Sequence, residues 1–516
     1  MYVNNWLTRR GMLTPDKVAV IDMPNEGMPI TYREWNWRAN RTANFLRERL
    51  QVQKADRIAV LATNSVEYLD LWFACGKIGA IIQLLNWRLT PHELTGLLED
   101  GSPRVLVYSR EFAAQVEAVR PNALSVEHFV TMDDKLRSVD VQFAEHDTYS
   151  NAEPPAVDLD WNDPWAICYT GGTTGLPKGA ILTHRSITAN SINTVMSWGL
   201  TPDDVALMQL PLFHTGAFNV FTAPLVHIGG TSVVCKGFDP GETFDLIRDY
   251  RISLFVGVPT MHLMLMQHPR WKEADLSSLK LCGSGGASCP QPVVDAYAER
   301  GILLFAGYGL TEAGPNTFWL PPEHRLQKPG SVGVPLMHID VSIVRDDGSE
   351  CAVDEAGEIL VRGPHVCGGY WNQPEETAKA ITPEGWLHTG DLAKRDAEGF
   401  YYIVGRIKDM IKSGGENIYP AEVESVMHEH PAVAEAALVG IPDEKWGEVG
   451  WAFVVVKPDQ SLTEDELLAF CRERLAKFKV PKAVIFAETL PKTGMNKIDK
   501  KRLAEQHHQI GEGGAR

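Results

Sequence analysis

The sequence predicts an α/β chain: a large N-terminal domain of helix-covered sheets plus a small β subdomain, then a small α+β C-terminal domain. Three observations carry that reading. Strand-like apolar runs alternate with helical spacings as far as Gly307. The texture turns to short alternating strands near Gly333. A second compact strand-and-helix pattern begins after Arg406.

In order, Tyr32 to Arg49 has amphipathic helical spacing, with Thr31 placed to cap it. ADRIAVLATNS, from Ala55, reads as a buried strand ending in a turn, and Val66 to Ile78 as a helix. VLVYS, Val105 to Ser109, is another strand. Strands and helices alternating at this spacing predict parallel sheets covered by helices. The pattern resumes from Val205 in MQLPLF, TSVVC, SLFVGVP and KLCGSG, with helices at 242–250 and 291–299. HIDVSIV, GEILVRG and GFYYIVG, separated by Gly, Asp and Pro, predict the β subdomain. The C-terminal pattern is AEVESVMHEH helix, VAEAALVGIP strand, GWAFVVVKP strand and TEDELLAFCRERLAKF helix. That last helix has an acidic first turn and a basic last turn. The tail HHQIGEGGAR is expected to be disordered. The domain boundary is expected between Gly405 and Asp409, giving domains 1–405 and 406–516.

Bulk properties exclude several roles. A chain of 516 residues is too long for one core. Its net charge of −17 repels phosphate backbones, so nucleic acid is not an expected partner. No apolar stretch is long enough to span a bilayer, and no secretory signal is read at MYVNNWLTRRGML. The eight cysteines are scattered without a C-x-x-C pair, the pattern of buried thiols in a reducing cytoplasm.

YTGGTTGLPKG, Tyr169 to Gly179, lies between strand-like WAICYT and AILTH. Its glycines expose backbone N–H groups, Thr170, Thr173 and Thr174 add hydroxyls, and Lys178 adds a cation. That combination suits a polyphosphate. It is not a Walker loop, because Lys178 follows Pro177 and precedes Gly179 rather than a hydroxyl residue.

This loop resembles the phosphate loop of the adenylate-forming superfamily, which includes acyl-CoA synthetases, luciferases and peptide-synthetase adenylation domains. The resemblance continues in order through PLFHTGAF (211–218), GSGGAS (283–288) and GYGLTEAG (307–314). It runs on through GWLHTGDLAKRDAEGFYYIVGRIKDMIKSGGENIYPAEVE (385–424) and LPKTGMNKIDKKRL (490–503). It implies a two-step, ATP-dependent carboxylate–CoA ligase with Mg²⁺. A carboxylate attacks the α-phosphate of ATP to give an acyl-adenylate and pyrophosphate. The thiol of coenzyme A then displaces AMP.

The resemblance also implies roles. Lys178 with Thr170, Gly171, Gly172, Thr173, Thr174 and Gly175 would hold the phosphates, and Glu312 the Mg²⁺. Gly285, Gly286, Ala287, Gly307, Tyr308, Gly309 and Thr311 would surround the adenine side. Asp391 and Arg406 would take the ribose, and Lys497 would be the catalytic lysine of the adenylation step. Lys408 would be the hinge of a mobile C-terminal domain, and Lys412, Ser413, Gly414 and Gly415 would face CoA. His214, Phe218, Val256 and Gly283 would line the acyl pocket, His214 with a catalytic part. Three positions depart from the family pattern. Gly171 stands for Ser or Thr, Ala306 for Gln, and Asn496 for Gly.

The readable pocket residues are mostly apolar or small and lack Arg or Lys, which disfavours a dicarboxylate. The segment VPTMHLMLMQHPRWKEADLSSLK resembles those of bacterial fatty-acyl and phenylpropanoid CoA ligases, which implies a medium- or long-chain fatty acid as the expected substrate. An aryl or cinnamate-type acid is the alternative. A carrier protein as acyl acceptor, luciferase-like oxygen chemistry and a non-catalytic nucleotide- or acyl-binding homologue are the rivals. Intact Lys178, Glu312, Asp391, Arg406 and Lys497 weigh against the last. A homodimer is expected only from the habit of the family.

Overall fold

The computed structural model describes residues 6–133, 137–171, 177–414, 416–492 and 498–505. Two seven-stranded sheets dominate. The first runs Val141–Gln142, His128–Thr131, Val105–Tyr108, Arg57–Leu61, Ile81–Leu84, Pro164–Thr170, Lys178–Thr183. It is parallel except for the last strand, which returns antiparallel to Pro164–Thr170 in a register pairing Thr170 with Lys178. The second runs Phe305–Ala306, Leu281–Ser284, Leu254–Gly257, Val205–Met208, Thr231–Val234, Val18–Asp22, Met28–Thr31, and only its last strand is antiparallel.

The helices form where spacing and caps agree. Helix Tyr32–Glu48 starts at Thr31, whose side chain accepts from the Glu34 N–H in a capping box. Helix Val66–Ile78 starts at Ser65 and ends at Gly79, left-handed at φ 71°. An aromatic cluster fills the core where these elements meet: Trp72 stacks on Phe218 at 4.2 Å, with Phe73 and Trp165 edge-on.

A four-stranded antiparallel sheet follows: Asp340–Val344, Gly357–Arg362, Leu387–Arg395, Tyr401–Arg406. After the short turn Ile407–Asp409 the chain enters another sheet, built from Glu416–Ile418, Ile411–Ser413, Gly447–Val456, Val433–Asp443 and, beside Gly447–Val456, Ala483–Phe486.

Two local expectations change. Of MQLPLF only Met208 is strand, as the last residue of Val205–Met208. The helix expected through Phe478 stops at Arg472, and Leu475 then packs back onto the C-terminal core. Asp391 stands within strand Leu387–Arg395, next to Gly390 (φ 69°). The tail from residue 506 lies outside the described residues. All eight cysteines are free, and every one except Cys289 is buried. Among the described residues no helix is long and apolar enough to cross a membrane.

Candidate active site

Three segments distant in sequence meet at the open end of hairpin Pro164–Thr183. The first is the hairpin itself, carrying Thr170 and Lys178 at its tip. Gly171 follows Thr170, and a Cβ there would meet nothing within 4 Å among the described residues. Gly172, Thr173, Thr174 and Gly175 lie outside the described residues.

The second segment is the loop 307–314. The parallel pairing of Leu281–Ser284 with Phe305–Ala306 delivers it beside GSGGAS, with Gly307 N–H donating to Ser284 O at 2.8 Å. Gly285 donates to Gly257 O at 3.1 Å, and exposed Gly286 (φ 80°) and Ala287 follow. Gly309 is forced by packing: a Cβ there would lie 2.2 Å from Pro315 O. Thr311 opens a short 3₁₀ turn that sets Glu312 with 9% of its surface exposed. Glu312 Oε1 accepts from Thr170 Oγ1 at 3.3 Å and from the Tyr370 hydroxyl at 3.0 Å.

The third segment, 368–371, pairs with strand Lys178–Thr183. Ile181 N–H donates to Gly369 O at 2.9 Å, and Trp371 N–H donates to Gly179 O at 2.8 Å. The Tyr370 ring lies 5.0 Å from Lys178 Nζ, and Lys178 also pairs with Glu376. Burial, with the nearby Glu312 carboxylate, pushes the Tyr370 hydroxyl far above its ordinary pKa, so it stays a donor. Neither Tyr370 nor Glu376 was found from sequence. GGYW reads as a glycine-marked turn before a helix, and nothing in its spacing connects it to a loop so far upstream.

A second cluster lies four residues back along the loop. The Tyr308 hydroxyl donates to Asp391 Oδ2 at 2.8 Å, and Arg406 Nε pairs with Asp391 Oδ1 at 2.9 Å. Strands Leu387–Arg395 and Tyr401–Arg406 place that pair directly, since Asp391 and Arg406 face each other in the register. Asp391 is 5% exposed. Burial, with the charge of Asp391 next, raises the Tyr308 hydroxyl well above its usual value. Arg406 is half-exposed and reaches the cluster from the rim.

Of the four expected acyl-pocket residues, Val256 and Gly283 are register partners on adjacent parallel strands. A cavity of about 20 Å³ lies between the end of strand Val205–Met208 and the turn of π-helix at Phe218–Thr222, lined by Gly216, Ala217, Val220, Phe221 and Val256 among others. Of the four, only Val256 is among the lining residues. Phe218 is fully buried against Trp72 and belongs to the core. Gly283 is required by Phe305, whose ring a Cβ would approach to 2.4 Å. His214 precedes the short helix Thr215–Ala217, its ring 4.4 Å from that of Phe213.

Lys408 is exposed in the turn Ile407–Asp409. Lys412 and Ser413 lie on strand Ile411–Ser413, where Lys412 N–H donates to Glu448 Oε2 at 2.9 Å. Gly414 is left-handed at φ 61°, with the Trp446 ring 2.6 Å from where its Cβ would stand. Gly415 and Lys497 lie outside the described residues. Among the described residues no group of three or more His, Cys, Asp or Glu forms a metal cage.

The fold thus sets Lys178 at one end of a hairpin and buries two carboxylates, Glu312 and Asp391, each hydrogen-bonded by a tyrosine. Comparisons with known proteins give the family. The family model for AMP-binding enzymes matches residues 7–371, and that for the AMP-binding enzyme C-terminal domain matches residues 422–497. The chain belongs to the AMP-binding enzyme family and, within it, to the adenylate-forming acid–thiol ligases. Feruloyl-CoA synthase of Amycolatopsis sp is 41% identical over 96% of this chain and 97% of its own length. Long-chain-fatty-acid–CoA ligase FadD13 of Mycobacterium tuberculosis is 36% identical over 97% and 98%. The anthranilate CoA ligase AuaEII, solved in complex with anthranoyl-AMP, superposes with a TM-score of 0.92 at 28% identity, covering 99% of this chain and 98% of that one.

Proposed function

We propose that the protein activates an aryl-bearing carboxylic acid with ATP and transfers the acyl group from its adenylate to coenzyme A. The observation that carries this reading is the hydrogen bond from Thr170 to the buried Glu312 carboxylate, beside Lys178. It sets a hard anionic oxygen ligand and a cation at the tip of one hairpin.

That donor set fits Mg²⁺ that arrives with a nucleotide. The ion needs octahedral oxygen ligands and is commonly held by one or two carboxylates plus substrate phosphates. Glu312 would supply the carboxylate, and phosphate oxygens the rest. Bound there, the ion neutralises developing negative charge on the phosphates. Lys178, Thr170 and the loop 171–175 would bind the β- and γ-phosphates. Tyr308 would lie along the adenine, with Gly285, Gly286, Ala287, Gly307, Gly309 and Thr311 leaving room for it. Asp391 would accept the ribose hydroxyls, with Arg406 at the rim. Lys497 would bridge the substrate carboxylate and the α-phosphate. With the partners positioned, the remaining work is charge stabilisation.

The junction would lie between domains 1–405 and 406–516, with Lys408 as its hinge. Its exposed turn between two sheets suits rotation by few residues. Lys412, Ser413, Gly414 and Gly415 would then face CoA. Val256 would border the acyl group, with His214 at the carboxylate end.

The aryl preference replaces the fatty-acid expectation. Feruloyl-CoA synthase is more similar than the fatty-acid ligase, and an aryl-adenylate complex superposes closely.

The test is pyrophosphate release from MgATP with ferulate, benzoate, indoleacetate, octanoate and palmitate, with and without CoA. Release that follows the aryl acids and turns over repeatedly only with CoA is expected. Turnover confined to octanoate and palmitate would refute the aryl assignment, and absence of acid-dependent release would refute the ligase reading.

A further inference from the structure

We propose that Glu376 is the counter-ion a polyphosphate must displace from Lys178, a positioning residue that sets triphosphate affinity and helps expel pyrophosphate. This rests on the phosphate-loop reading above. Glu376 Oε2 accepts from Lys178 Nζ, and Oε1 accepts from Lys379 Nζ at 2.6 Å.

The contact is built into the backbone. Glu376 stands in the first turn of helix Pro374–Ala380. Tyr370 N–H donates to Thr377 Oγ1 at 2.9 Å, and a Cβ on Gly369 would fall 2.4 Å from Thr377. The segment that carries these residues is paired to the strand that carries Lys178. Helix, strap and hairpin thus hold the carboxylate at the lysine. The Lys178 hydrogen bond, with that of Lys379 next, holds the Glu376 carboxyl down to about 2, so it is an anion throughout the neutral range.

The charge count gives the direction. Two cations and one carboxylate carry 2 − 1 = +1 in wild type, and 2 − 0 = +2 when Glu376 is replaced by Gln. A triphosphate therefore meets a lysine already partnered, beside an anion that repels it. Pyrophosphate leaves more readily because Glu376 retakes the lysine. AMP has no β- or γ-phosphate and does not compete for Lys178. Both side chains are about one-third exposed, so screening keeps the effect modest.

The experiment is equilibrium binding of ATP, pyrophosphate and AMP to purified wild type, Glu376→Gln, Lys178→Met and the double variant, by calorimetry. Glu376→Gln is expected to tighten ATP and pyrophosphate by about two- to fivefold, the scale of a partly exposed ion pair. AMP affinity should stay unchanged, which also reports that the variant is folded. The gain should vanish on the Lys178→Met background. If Lys178→Met weakens ATP but Glu376→Gln leaves ATP and pyrophosphate unchanged or weaker, the counter-ion role is overturned and the phosphate-loop reading stands. If Lys178→Met leaves ATP binding unchanged, both fall.

Discussion

Asp391→Asn tests the ribose assignment, and the structure fixes what it removes. Asp391 Oδ2 takes the Tyr308 hydroxyl and Oδ1 takes Arg406. A carboxylate is acceptor-only on both oxygens, whereas an asparagine keeps one acceptor and turns a donor NH₂ toward one partner. Arg406 is half-exposed and can swing to water, while Tyr308 is packed against the core. The amide should therefore face Arg406, keeping the Tyr308 bond. The main loss is then the charge-assisted acceptor for a ribose hydroxyl, worth about 1.5–3 kcal/mol, or roughly 10- to 100-fold in kcat/KM for ATP. The assay is acid-dependent pyrophosphate release with ATP, 2′-deoxy-ATP and 3′-deoxy-ATP. Wild type should discriminate against at least one deoxy analogue by a comparable factor, and Asp391→Asn should lose most of that discrimination. A variant that separates ATP from its deoxy analogues as well as wild type does would refute the assignment, whatever its absolute rate. Tyr308→Phe leaves the carboxylate in place and should cost only about tenfold or less, one neutral-donor bond.

Three further outcomes are expected. Lys497→Ala should slow adenylation by about 10²–10³-fold, the scale of one lost stabilising group, while acyl transfer from a preformed adenylate to CoA stays near wild type; equal losses in both steps would remove its special role. Gly283→Ala drives a methyl into the Phe305 ring at 2.4 Å and should destabilise the fold by about 1–3 kcal/mol, read as a lower denaturant midpoint. Asp70, fully buried, has its carboxyl raised to about 7 by burial, against the pull of Arg38 and with Glu67 adding. Its unfolded value is about 3.9, so the fold favours the protonated form, and this contribution to stability is lost as pH rises from about 4 through about 7. Urea midpoints between about pH 5 and pH 8 should fall more steeply for wild type than for Asp70→Asn, and equal slopes would remove Asp70 as the cause.

The order of strands and helices was legible because periodicity and caps reported the same elements. Val66–Ile78 and the Thr31 cap appear where the spacing put them. Errors came where a tertiary contact overrode local pattern. The last long helix stops at Arg472, and Leu475 beyond it packs onto the core, a contact no propensity encodes. At the candidate site, motifs named residues, but the contacts that hold those residues were not legible. Tyr370 is separated from Glu312 by 58 positions and Glu376 from Lys178 by 198, so the pairings exist only once the strap lies along the hairpin. Phe218, expected at the pocket as a motif neighbour of His214, has its ring stacked on Trp72 in the aromatic core, a contact the motif does not announce.

The two carboxylates share one design, and it separates their work from that of Lys178. Glu312 is held by Tyr370 and Asp391 by Tyr308, each phenol too deeply placed to ionise readily. A neutral O–H orients a carboxylate without cancelling its charge, whereas a lysine in the same place would neutralise it. In the proposed roles, Glu312 would meet a cation and Asp391 hydroxyl donors. Arg406 does pair with Asp391, but from the solvent-exposed rim, where its charge is screened. Lys178 is the converse case, a cation whose partner is itself charged. Replacing Tyr370 by Phe should therefore weaken Mg²⁺ binding in the reaction more than the affinity for AMP. Measured as the Mg²⁺ concentration for half-maximal pyrophosphate release, the shift should be upward, and an unchanged Mg²⁺ dependence would mean that Thr170 alone orients Glu312.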